Sequence, residues 1–177
     1  MPVSPHSLHP RTLWKLFLGF LAATVLISAG MWATSGSLTN DLAPHGIVSF
    51  EFVGDSEAAA AMLDSWGERG RIEAAFNLGL DFLFILAWVP AVAIGCLWVA
   101  QRFGRFVMAL RALATLQIVA GMFDMIENVA LLNLLLTTPS EPWPQIAWWA
   151  ALLKFSILAL GVVAIAAGAV VAGAKRA

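Results

Sequence analysis

Three acids and one lysine stand inside long apolar runs of this chain: Asp81, Asp124, Glu127 and Lys154. An ionisable side chain in such a place is costly to bury, and it normally faces other protein with a partner. Carboxyl groups held there can act as general acids or bases or bind a cation, and an ammonium beside them can fix one of them as an anion. Three acids against one base leave a charge of −2 if all of them ionise. Like charges close together in a low-dielectric site do not all ionise, so at least one carboxyl keeps its proton or a cation joins the group.

The spacing places these side chains on shared faces. In "EAAFNLGLDFLF", Glu73, Asn77 and Asp81 are four apart and lie on one side of a helix. In "LQIVAGMFDMIENVALLN", Gln117, Gly121, Asp124 and Asn128 form one stripe, with Glu127 on its flank. Counted at the helical rise from the outer end of each run, Asp81 is roughly 10 Å deep, Lys154 roughly 12 Å, Glu127 roughly 14 Å and Asp124 roughly 18 Å. The acids and Lys154 are therefore expected in one half of one bundle. Asp81, Asp124 and Glu127 are the candidate catalytic groups; Asn77, Asn128, Lys154 and Gln117 are candidate ligand-binding groups. Glu73 reads as an interfacial, solvated acid and Asn133 as a helix-terminal polar residue. The competing reading is structural, since buried ion pairs and Asn–carboxyl bonds also hold helices in register without any turnover.

The elements that carry these residues follow from composition. The chain has 177 residues, 60% hydrophobic and 12% charged. About 25% charged is usual for a soluble domain, so water is not the main solvent of this surface. Apolar blocks at Leu13–Ala33, Ala74–Ala100, Ala112–Leu136 and Ile146–Ala172 each reach the ~20 residues a membrane-spanning helix needs. The expected fold is an all-α, four-transmembrane-helix bundle forming one membrane domain, with helices near 13–33, 74–100, 106–136 and 146–172. Most of the eight Trp residues lie near block ends, where a membrane interface favours them; Trp88 is the exception. Residues 34–73 form an outer loop. Within it "IVSFEFVG" alternates like a short strand, and "DSEAAAAMLDSWGERG" reads as an amphipathic helix capped at Asp55 or Ser56 and ended by Gly67.

Charge sets the direction. Arg11, Lys15, Arg102, Arg105, Arg111, Lys175 and Arg176 lie on one side, and the acid-rich 34–73 loop with Glu141 lies on the other. The positive-inside rule then gives a multi-pass cell-membrane protein with cytoplasmic N- and C-termini. The first block exceeds the length of a signal-peptide core and is expected to remain as a helix. Small pairs on the fourth block (Ala164/Gly168, Gly168/Ala172 and Ala169/Gly173) suit close helix packing, within the chain or in a homo-oligomer.

Several classes lack support. His6, His9 and His45 lie outside the blocks and Cys96 is the lone cysteine, so no zinc site or cofactor is expected. No basic stripe interleaved with aromatics points to nucleic acid, and no nucleotide-binding or hydrolase motif is present. In layout alone, four spans with carboxyl groups inside the membrane resemble sterol isomerases of the emopamil-binding type; no motif aligns and no residue role carries over. Three functions fit the residues. The first is a protein that binds or transforms an apolar, lipid-like ligand. The others are a proton- or cation-coupled carrier and a structural or assembly subunit. The lipid bilayer is the expected surrounding in each.

Overall fold

A computed structural model describes residues 8–103 and 106–174. Arg105, Lys175 and Arg176, used above to set the direction, and His6, considered above for zinc, lie outside the described residues. Among the described residues five α-helices follow in chain order: α1 (Pro10–Ala33), α2 (Ile47–Glu51), α3 (Ser56–Ala100), α4 (Val107–Leu136) and α5 (Trp143–Ala174). Four of them, all but α2, are long and apolar enough to cross a membrane. Their outward faces carry bare apolar side chains, among them Leu26, Leu86, Met122, Leu160 and Val170. An apolar surface of that extent is of the kind that meets a membrane or another protein.

Helices α3, α4 and α5 pack on one another, and α1 packs along α3. Three apolar layers stack along the bundle. At the loop end, Leu38, Phe50, Leu63, Trp66, Leu78, Leu131 and Leu134 close together. In the middle lie Trp88, Val92, Cys96, Ala114 and Ala120. At the opposite end are Leu13, Trp98, Val99 and Leu110. The candidate charged residues fall between the first two layers.

The segment expected to be a strand is helical. Among the described residues there is no strand, and "IVSFE" forms α2 after Gly46, whose φ of 58° turns the chain into it. An isolated strand would leave its backbone groups unpaired against the apolar bundle end, whereas a helical turn satisfies them internally. Helical phase also redistributes the side chains. Phe50 is fully buried against Trp66, with ring centroids 5.3 Å apart. Phe52, just past the helix, stacks on Phe155 at 6.0 Å. Glu51, which alternation would have turned outward, is buried.

The amphipathic helix starts where expected, with the Asp55 side chain accepting from the Ala58 N–H at 2.7 Å. Gly67 does not end it. The chain turns there, at φ 60° and ψ −167°, and goes on directly as the long apolar part of α3. Few residues other than glycine adopt that backbone geometry, and forcing one into it costs of order 1–3 kcal/mol. Gly67→Ala is therefore expected to lower the melting temperature, while Gly79→Ala, with open space around its Cβ and no unusual φ, leaves it nearly unchanged. Equal melting of the two variants would show that the turn at Gly67 is not held.

Glu73 sits just beyond this turn and is not merely solvated. Its carboxylate accepts from the Ser37 N–H at 2.7 Å, the Ser37 hydroxyl at 3.0 Å and Arg69 at 3.0 Å. The Ser37 N–H, with Arg69 assisting, holds this carboxyl below its usual range. The bond ties the start of the loop after α1 to the start of the long apolar stretch of α3.

Candidate functional site

Lys154 is the hub of the charged layer. Its ammonium donates to Asp124 Oδ1 and to Glu127 Oε1, both at 2.8 Å, and a third carboxyl oxygen, Glu51 Oε2, lies 3.7 Å away. The group is drawn from three elements: Lys154 from α5, Asp124 and Glu127 from α4, and Glu51 from α2. The Lys154, Asp124 and Glu127 side chains are only 8%, 3% and 0% exposed, which puts the pairs in a setting where each ion depends on its partners rather than on solvent. The second Asp124 oxygen accepts from the Trp88 indole N–H at 2.9 Å. Asp81, on α3, stands beside this group, and Asn128 donates to one of its oxygens.

The spacing along α4 explains the geometry. Asp124, Glu127 and Asn128 are three and four residues apart, so they present one face. That face looks at Lys154 with its first two members and at Asp81 with the third. Asp81 therefore joins through Asn128 and not through a bond to Lys154.

Two of the expected ligand-binding residues lie elsewhere. Asn77, one turn before Asp81, is buried and donates to Thr34 and to the Glu73 carbonyl. Gln117, seven residues before Asp124, donates to the Ile157 carbonyl at 3.2 Å and bridges α4 to α5 in the middle layer. Both share a stripe with the acids but not a depth. Asn133 bonds the carbonyl one turn back. Glu51 and Trp88 are the site members that no motif had singled out.

The layer borders a cavity of about 230 Å³. Glu51, Asp81, Asp124 and Lys154 give it a charged floor, and Phe84, Trp88, Phe155 and Leu158 give it apolar walls. Ser28 and Met31 of α1 form its far edge, and Ile47 and Val48 of α2 lie over it. Every helix thus contributes. The cavity lies where α1, packed on α3, stands apart from α5, packed on α4 and α3.

The polar atoms are not all satisfied. Glu51 Oε2 and Glu127 Oε2 are buried without a hydrogen-bond donor. Burial pushes the Glu51 carboxyl above its usual range, against the pull of Lys154 in the other direction. Four carboxyls and one ammonium would carry −3 if all ionised. Among the described residues no cluster of His, Cys, Asp and Glu is arranged to hold a metal ion.

Toward the end away from the loop the helices pack closely at three glycines. Gly95 is covered by Ile165 and Phe17, Gly161 by Val92 and Gln117, and Gly168 by Val99. The small residues Gly161 and Gly168 of α5 are thus used against α3 and α4 of the same chain. No protein-family model matches this chain, and comparison with curated proteins and with solved structures likewise finds no match.

Proposed function

We propose that the chain is a multi-pass protein of the cell membrane, both termini cytoplasmic, that takes the polar end of an apolar, lipid-like ligand into the cavity beside Lys154. One observation carries the reading: an open cavity adjoins a buried charged layer whose acceptors are not all used. Groups that serve only to fasten helices satisfy one another, because an unpartnered buried polar atom costs more than its bond returns. One of the two unused acceptors belongs to Glu51, a side chain that lines an unfilled space with apolar walls. The gap between α1 and α5 is a sideways route from the bilayer, so a lipid-like molecule can reach the floor without crossing water. Asp81, Asp124 and Glu127 are the groups available for proton exchange with it, and Lys154, which donates to Asp124 and Glu127, orients them.

The carrier reading has less support, since toward the opposite end Gly95, Gly161 and Gly168 are packed tightly against Ile165, Val92, Gln117 and Val99.

Native mass spectrometry of the gently solubilised protein tests the proposal. A bound mass is expected on the wild type. It should be lost in Ser28→Trp, which fills the edge of the cavity from an exposed position on α1, and weakened in Asp124→Asn. A bare wild type, or a mass that Ser28→Trp retains, would refute ligand binding at this cavity and return the charged layer to a structural role.

A further inference from the structure

We infer that the occupant of this cavity carries a protonated primary amine at its polar end, a long-chain alkyl ammonium rather than a carboxylate, an alcohol or a quaternary ammonium. The inference rests on the binding site proposed above and names the chemistry of its ligand.

Charge selects first. Lys154 already has two carboxylate oxygens at 2.8 Å and a third at 3.7 Å. An anionic headgroup would have to take the ammonium away from them and would add negative charge beside Asp81 and Glu51. Unless three of the four carboxyls hold protons, the group carries a net negative charge beside its one ammonium. The missing charge is positive.

Donors select second. The open positions at the floor are acceptors. Glu51 lines the cavity, and among the described residues no hydrogen bond reaches its carboxyl, whose Oε2 is buried 3.7 Å from the Lys154 ammonium. Asp81 receives a bond from Asn128 on one oxygen, and among the described residues no hydrogen bond reaches the other. These two carboxyls come from different elements, α2 and α3, and both line the cavity. A primary ammonium brings three N–H groups, enough for both. An alcohol brings one donor and no charge, and a trimethylammonium brings charge and no donor. Hydrogen bonds to charged groups contribute roughly tenfold or more each to affinity.

Size selects last. A pocket that encloses a drug-sized ligand measures about 300–1,000 Å³. At about 230 Å³ this cavity takes a headgroup and its first carbons against Phe84, Trp88 and Leu158. The remaining chain lies in the gap between α1 and α5, among lipid tails.

The test uses the full chain in nanodiscs of zwitterionic phosphatidylcholine, with empty discs subtracted. Dodecylamine (protonated at pH 7), dodecyltrimethylammonium, dodecan-1-ol and dodecanoate are titrated by calorimetry. Dodecylamine is expected to bind at least about tenfold tighter than each of the others. Glu51→Gln and Asp81→Asn should each weaken it by roughly tenfold and move dodecan-1-ol little. Ser28→Trp should abolish it. If dodecan-1-ol or the trimethylammonium binds as well as the amine, and Ser28→Trp removes both, the amine assignment is wrong while the cavity remains the binding site. If Ser28→Trp changes nothing, or none of the four binds, the site itself fails and the amine assignment with it. Should either carboxyl variant not fold, the ranking of the four amphiphiles on the wild type decides alone.

Discussion

Lys154→Met is expected to cost roughly 3–5 kcal/mol, the usual loss when one partner of a buried ion pair is removed. For a chain of this size that corresponds to a melting temperature lower by about 6–20 °C in a fixed detergent. The cause is the stranding of Asp124 and Glu127, both almost without solvent contact, rather than lost packing, since Met nearly fills the volume of the lysine stem. The reasoning makes a second demand. Replacing the whole group by neutral side chains of similar shape is often close to neutral. The triple variant Lys154→Met, Asp124→Asn, Glu127→Gln should therefore melt well above Lys154→Met alone, although it carries two more substitutions. Melting curves of the wild type, the single and the triple variant check both points. A single variant that melts with the wild type would mean that solvent or lipid reaches the carboxyls. A triple variant no better than the single would mean that Lys154 contributes through packing.

How much of this site was legible beforehand depends on what each residue's neighbours say about it. Asp81, Asp124, Glu127 and Lys154 interrupt apolar runs, so their cost alone marks them, and a rise of 1.5 Å per residue brings Lys154 to the level of Glu127, where the structure has a 2.8 Å bond. Asn77 and Gln117 show the limit of the same logic. Helical phase puts them on the right faces, but at one and two turns from the acids they bond to backbone carbonyls instead. Glu51 was hidden because an acid in a loop reads as solvated. Only when α2 folds back over the bundle does it meet Lys154, and over five residues alternation and helical phase are too alike to separate. Trp88 did leave a signal: it is the one Trp deep within a block, and a buried indole N–H needs an acceptor, which Asp124 supplies.

Gly161→Leu joins the packing of the bundle to the chemistry of the site. Gly161 lies seven residues, two turns, beyond Lys154 on α5, so both face the same neighbours. A Cβ at Gly161 would stand 2.5 Å from Val92 Cγ1 and 2.7 Å from Gln117 Nε2. Neither can simply swing aside, because Val92 has a short branched side chain and Gln117 bridges to the Ile157 carbonyl on the helix that would move. The added side chain therefore pushes α5 away from α3 and α4. Overpacking of this kind costs about 1–3 kcal/mol, occasionally more. Here it also draws Lys154 off Asp124 and Glu127, whose 2.8 Å contacts do not survive a shift of an ångström unchanged. Gly161→Leu should thus melt lower than its overpacking alone implies, and its loss should shrink when made in the Lys154→Met background, where that part of the interaction is already gone. Gly19→Leu on α1, with nothing within 4 Å of its Cβ, is the matched control and should melt close to the wild type. If Gly161→Leu costs as much with Lys154 absent as with it present, the small-residue contact and the ion cluster are independent, and the position of α5 is set by packing alone.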